Sequence, residues 1–249
     1  MENLSRYREL IVPDIFGGTP DDYNPIVEIF GEEIYDNYGA NWRCGASKMC
    51  IMPSEGDMVI KLPFKGNIYY DDEDNAFVEE FERSGSESCA WDYCLAEVEL
   101  YNKVAAAGFE CFLARTEAYG KTYNDYPMYI QEKVKVYGEG ASPSKEISED
   151  SREKSKTIMY SYRNYYKLHR NLSMEKMSKE ELIGWTFAET GEEFIASLID
   201  AYGYDKVADF SEWAFLNARN LAADLHSDNI GYRKSDGTPC LLDFTGFFD

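Results

Sequence analysis

The stretch Ala222-Ala223-Asp224-Leu225-His226-Ser227-Asp228-Asn229-Ile230-Gly231-Tyr232, followed by Cys240-Leu241-Leu242-Asp243-Phe244, decides how the rest of the chain is read. Asp224 and Asn229 are five apart, and Asp243 follows after one tight turn, Lys234-Ser235-Asp236-Gly237-Thr238-Pro239. The turn is built of residues that reverse a chain, and the flanking runs are apolar and β-rich. The spacing therefore predicts a helix ending in a loop, then a short hairpin with strands at 230–232 and 240–244. A loop Asp or Asn by itself is an ordinary cap or turn former. Here a carboxylate, an amide and a second carboxylate arrive in order on adjoining segments, each beside an apolar run.

Working outward, the region before this stretch is helical, with patterns near 151–171, 178–202 and 205–223. It is preceded by 138–155, rich in Gly, Ser, Pro, Glu and Lys, which reads as a linker or crossover. Further upstream two β-rich runs, 41–52 and 57–64, flank the hairpin-type turn Pro53-Ser54-Glu55-Gly56. Residues 66–90 are an acidic insertion, a solvated hairpin or loop. In 91–107, Tyr93, Ala96, Leu100, Val104 and Ala107 make one apolar helical stripe that ends at Gly108 as a C-terminal cap. Two more strands, 112–118 and 127–136, surround the turn 119–126. The expected class is α+β, organised as an N-terminal extension (1–35), a sheet with one helix (36–137) and a helical half carrying the terminal hairpin (138–249).

Composition limits the function. Aromatics are 15% of the 249 residues and hydrophobic residues 44%, enough for a packed core. The net charge of −21 disfavours nonspecific contact with phosphate backbones or anionic lipid, so nucleic acid and membrane are not expected partners. Acidic mimicry of nucleic acid is the exception that composition leaves open. Six cysteines, at 44, 50, 89, 94, 111 and 240, form no C-x-x-C pair, and the two histidines, His169 and His226, sit in unrelated contexts, so no zinc spacing exists. No signal-peptide pattern and no long apolar run occurs, which makes a cytoplasm with reduced cysteines the expected compartment.

The ordered trio suits phosphoryl transfer. Asp224 at the loop's start can face a substrate hydroxyl as base, while the Asn229 amide and the Asp243 carboxylate hold Mg²⁺ against phosphates. Upstream, Met58-Val59-Ile60-Lys61 is a variant of the V-A-I-K strand whose lysine pairs ATP phosphates and a helix glutamate. Glu97 sits beside the buried stripe of the 91–107 helix and is the glutamate expected there, whereas Glu99 points away from the stripe. Gly45, Ala46 and Ser47, with Gly39 nearby, could form a loop whose backbone N–H groups approach phosphates, although the full G-x-G-x-x-G is absent. Glu132 and Val134, in Gln131-Glu132-Lys133-Val134, stand where backbone groups would meet an adenine.

On these residues the chain resembles the protein-kinase-like superfamily, in particular the short protein kinases of tailed bacteriophages, which have a similar D-[LM]-H-S-x-N loop followed by a hairpin and an aspartate. The resemblance covers roughly 36–136 and 205–247. It implies a bilobal fold with an antiparallel β N-lobe and a reduced helical C-lobe. It also implies ATP and Mg²⁺ as cofactors and a Ser/Thr of a host protein as acceptor, with the host cytoplasm as a possible location. By the same likeness Asp224 is the catalytic base, Asn229 and Asp243 the metal ligands, Lys61 and Glu97 the ion pair at the phosphates, and His226 a neighbour of the transferred group. Ala222 and Ala223 replace the usual His and Arg, and Thr245 stands where D-F-G has glycine. Only six residues follow Asp243, so no activation segment is expected. Similar minimal kinases occur among bacterial effectors, so phage and effector origins both stay open. Two other functions remain: a small-molecule phosphotransferase, because D-L-H-x-x-N also resembles aminoglycoside and choline kinase loops, and a pseudokinase or acidic decoy that binds a partner protein.

Overall fold

A computed structural model describes residues 40–44, 48–53, 57–63, 67–71, 76–80, 87–121, 127–168, 177–223 and 225–244. The chain divides into two compact units, Met1–Asn102 with Arg115–Lys133, and Lys103–Ala114 with Val134–Asp249. The architecture is α+β, with small antiparallel sheets and several helices.

The first unit is built on β1 (Ala40–Cys44), β2 (Lys48–Pro53) and β3 (Met58–Pro63), a hairpin of β4 (Asn67–Asp71) and β5 (Ala76–Glu80), most of helix α1 (Glu87–Ala106), β6 (Thr116–Lys121) and β7 (Pro127–Glu132). Five strands form one antiparallel sheet in the order β1-β2-β3-β7-β6, and β4 and β5 pair apart from it. The acidic insertion is therefore a hairpin. The β-rich run over 41–52 forms two strands, paired Cys44 to Met49 and Trp42 to Ile51. β-rich composition on both sides of Gly45-Ala46-Ser47 hides that reversal from a periodicity argument. The core of this unit contains Met58, Ile60, Cys94, Tyr129 and Ile130. Within it Gln131 donates to Thr116 Oγ1 at 3.0 Å, so the buried amide is satisfied across the β6–β7 pair.

The second unit opens with the end of α1. Phe109 N–H donates to Val104 O and Gly108 N–H to Ala105 O, with Gly108 at φ +82°, the bonding of a Schellman cap. The expected stop at Gly108 is thus made by backbone bonds that only a left-handed residue allows. Of residues 112–114, expected as the start of a strand, Phe112 closes a 3₁₀ turn (Glu110–Phe112) and Leu113 makes a single bridge to Leu241, and the strand starts at Thr116. The reason is tertiary: Phe112, Leu113 and Ala114 are all buried, and Ala114 N–H donates to Leu241 O at 2.7 Å.

The run expected as one strand over 127–136 also divides. After β7, a short strand β8 (Val134–Val136) belongs to a different, three-stranded sheet with β9 (Ile230–Arg233) and β10 (Pro239–Leu241), in the order β10-β9-β8. Lys133 N–H donates to Asp57 O, and the chain changes sheets there. Four longer helices complete the unit: α2 (Glu149–Leu168), α3 (Lys179–Phe187), α4 (Glu192–Tyr202) and α5 (Tyr204–Asn217), with the single turn α6 (Asn220–Ala223). The pattern over 178–202 is two helices, separated by a 3₁₀ turn (Ala188–Thr190) and Gly191. Ser178 and Glu181 form a reciprocal capping box at the start of α3. On α5, Val207, Phe210, Ser211, Ala214 and Phe215 are buried, the i, i+3, i+4, i+7 stripe of a packed helix. On α4 every residue from Phe194 to Ile199 is buried, so that helix runs through the core. Phe112 and Phe210 stack there with ring centroids 4.3 Å apart.

Candidate functional site

Helix α6 leads into the loop that the sequence singles out. Asp224, the expected base, lies outside the described residues, as do Gly45, Ala46 and Ser47. Leu225 beside it is buried and anchors the loop. His226, exposed, then caps a 3₁₀ turn (Ser227–Asn229): its Nδ1 accepts from Asp228 N–H at 3.2 Å, and Asn229 N–H donates to His226 O at 3.0 Å. Asp228 Oδ2 lies 3.9 Å from His226 Nδ1, and Ser227 Oγ donates to Asp228 Oδ1 at 3.4 Å.

From this turn the chain enters β9. Its pairing with β10 runs Tyr232 to Pro239, Gly231 to Cys240 and Ile230 to Leu241. The ladder continues one step past the strand, because Leu242 N–H donates to Asn229 O at 2.8 Å. The bond sets the Asn229 backbone against Leu242, the residue before Asp243, although Asn229 and Asp243 are fourteen residues apart in sequence. Both are partly accessible, in contrast to Ile230, Leu241 and Phe244 around them, which are buried. The hairpin is held on its other edge by β8, paired Val134 to Arg233 and Val136 to Gly231. A side chain at Gly231 would place its Cβ 2.4 Å from the Lys135 carbonyl oxygen, so only glycine permits this approach.

In the first unit, Lys61 lies on the third strand, paired with Cys50 on β2 and Tyr129 on β7. It is buried, at 6% exposure, with Nζ 5.7 Å from the centroid of the Tyr129 ring. Glu97 on α1 is fully buried, whereas Glu99 is exposed, as the helical stripe predicts. A lysine and a glutamate withdrawn from water in one small unit are costly, and such groups usually mark chemistry or a polar network.

Of the two residues expected near an adenine, Glu132 ends β7 and Val134 begins β8. The Glu132 N–H is already given to Arg115 O at 2.9 Å, and its carboxylate accepts from Arg115 N–H at 2.9 Å. Glu132 therefore has no amide hydrogen to offer.

The donor set on the hairpin is one amide oxygen and one carboxylate, both hard. That fits Mg²⁺, which takes one or two protein oxygens and completes its octahedron with water and phosphate oxygens. It does not fit a metal held by protein alone: among the described residues no group of three or more His, Cys, Asp or Glu is placed to hold an ion. No described helix is long and apolar enough to cross a membrane. One residue that sequence reading passes over is Arg233. Its guanidinium donates to Leu113 O (2.6 Å), Cys111 O (3.0 Å), Tyr202 OH (3.0 Å) and Thr238 Oγ1 (3.3 Å), tying the hairpin to the 110–114 segment and the end of α4. Two of its acceptors are more than 100 residues away in sequence, and backbone carbonyls carry no residue-type signal.

No protein-family model, no curated protein and no solved structure matches this chain. The functional reading rests on the residues and their geometry.

Proposed function

We propose that the chain is a Mg-ATP-dependent kinase of the protein-kinase-like superfamily, of the short bacteriophage type, transferring the γ-phosphoryl group to a Ser or Thr of a host protein in the cytoplasm. The observation that supports the reading is the Leu242-to-Asn229 backbone bond, which joins the segments that carry Asn229 and Asp243 at the end of a hairpin. In the proposed reaction Asn229 and Asp243 would hold Mg²⁺, which when bound would supply charge neutralisation for the phosphoryl group being transferred. Asp224, at the head of the same loop, orients the acceptor hydroxyl and receives its proton. Lys61, buried on the third strand, pairs with phosphate oxygens, and Glu97 supplies the compensating charge in the same unit. A sheet of five antiparallel strands with one helix, followed by a helical unit ending in a hairpin, supports the two-lobed kinase-like reading.

The test is a thermal melt with millimolar ATP, with and without Mg²⁺, and with Asp243→Ala and Asn229→Ala variants. Ligand that binds only the native state stabilises by mass action, about 2.7 kcal/mol at a hundredfold excess over Kd. The expected outcome is a Mg-dependent rise in Tm in the parent that both variants lose. No rise in the parent would remove the enzyme reading and favour an acidic decoy that binds a partner protein.

A further inference from the structure

The outer face of α2 is a part of the second unit that the proposed reaction does not use. Its inner face is fixed: Ser155, Ile158, Met159 and Tyr165 are buried. A Cβ at Gly184 of α3 would lie 2.3 Å from Tyr162 Cβ, so the two helices meet closely there. The outward side is aromatic. Tyr160 is 70% exposed and Tyr166 60%, and the Tyr166 ring lies 6.0 Å from that of Tyr162. Tyrosine is favoured where proteins meet, because it brings a large apolar area and a hydroxyl at small conformational cost.

The charge of this face departs from the rest of the chain. With 46 acidic residues in 249, about four would fall in any 21-residue window, yet 154–174 has none and carries Lys154, Lys156, Arg163, Lys167 and Arg170. Two of these cations are neutralised within the helix, Lys154 by Asp150 and Lys156 by Glu153, each at 2.6 Å. Arg163 is different. Its Nη1 is 3.9 Å from Glu192 Oε1, too far for a hydrogen bond, so its forked donors remain available to a carboxylate. Lys167, four residues on, is exposed as well. Positions 160, 163 and 167 follow one helical stripe, and 166 stands one turn from 163.

We propose that this face, made of Tyr160, Arg163, Tyr166 and Lys167, docks a short acidic segment of a partner protein, with carboxylates on the two cations and an apolar side chain against the tyrosine rings. The stripe from Tyr160 to Lys167 is about 10 Å long, the span of three or four residues of extended chain. The partner's chemistry follows from charge. A nucleic acid or an anionic bilayer would set many charges against a chain of −21, including Glu192 at the edge of the face, whereas a short acidic segment meets only the local cations. The inference does not rest on the kinase reading, since it is read as peptide binding without nucleotide.

The experiment is fluorescence anisotropy on the full chain at low salt. The probes are a labelled peptide of Glu residues around a central Phe, its counterpart with Gln for Glu, a short oligothymidylate, and vesicles of phosphatidylcholine with phosphatidylserine. The parent should bind the Glu peptide at least about tenfold more tightly than the Gln peptide. Arg163→Gln with Lys167→Gln should weaken it about fivefold, and Tyr160→Ser with Tyr166→Ser by a similar factor, with helical circular dichroism unchanged. Lys206→Gln, on the exposed side of α5, is the control and should bind as the parent does. The two pairs of substitutions are read separately, so that if one fails to fold the other still decides. The inference is overturned if the parent shows no saturable binding at millimolar peptide, or if the α2 variants bind like the parent. It is equally overturned if Lys206→Gln loses as much, or if the oligothymidylate or the vesicles bind more tightly than the peptide.

Discussion

Replacing Arg233 by methionine keeps the aliphatic stem and removes the guanidinium, and this change should weaken the second unit by about 3 kcal/mol. The figure comes from the contacts. A hydrogen bond from a charged donor contributes about 1.5–3 kcal/mol net, and the two carbonyl contacts, at 2.6 Å to Leu113 O and 3.0 Å to Cys111 O, are short enough to count near that range. The bonds to Tyr202 OH and Thr238 Oγ1 add less, because Nη1 shares its two hydrogens among three acceptors. Partial exposure of the side chain lowers the sum further. With roughly 2–4 °C per kcal/mol for a chain of this size, Tm should fall by about 6–12 °C. Chemical denaturation and a thermal melt measure the loss. Arg233→Lys is the control: a single ammonium cannot span acceptors on three segments, so it should keep no more than a third of the stabilisation. A loss below about 0.5 kcal/mol in Arg233→Met, the range of an ordinary surface substitution, would refute the reasoning. So would full retention in Arg233→Lys.

Asp224→Asn should lower the transfer rate by about 10²–10⁴ with nucleotide affinity almost unchanged, while Asp228→Asn keeps most of the rate; steady-state kinetics beside ATP titrations would expose the opposite ranking, which would overturn the loop register. Lys61→Met should reduce transfer by at least about 10² and leave stability within about 1 kcal/mol, since methionine has an unbranched apolar side chain suited to this buried position on β3 and brings no charge to solvate. Tyr202, pushed up to about 12 from 10.0 mainly by burial, holds its proton more tightly in the folded state. The stability this contributes is complete below pH 10 and is lost as pH rises towards 12. Urea melts across that window should show a shallower decline for Tyr202→Phe, and parallel curves for the two proteins would count against the assignment.

The sequence by itself determined the elements whose signal is local. The helix over 91–107 and its stop at Gly108 depend on helical period and on one residue able to take φ +82°, and both are visible in the sequence, although the buried residues are Cys94, Glu97 and Val104 and Ala107 of the expected stripe is exposed. The terminal hairpin is as legible, because the turn chemistry from Lys234 to Pro239 and the flanking apolar runs specify it within fifteen residues. The choice of Glu97 over Glu99 follows from the same helical geometry. What escaped was whatever depends on a distant partner. Val134 and Val136 alternate as any strand would, and nothing in that alternation says that they leave the sheet of β7 for the sheet of β9. That choice is made by the Lys133 bond to Asp57 and by Gly231, which lets β8 approach. Phe112 has strand-like composition but closes a 3₁₀ turn, and Leu113 makes only a single bridge to Leu241, since Leu241 and Arg233 take the backbone groups of Ala114, Leu113 and Cys111 from more than 100 residues away. Period and turn chemistry act over a few residues, whereas sheet exchange and close packing are set by surfaces that meet only once the chain has folded.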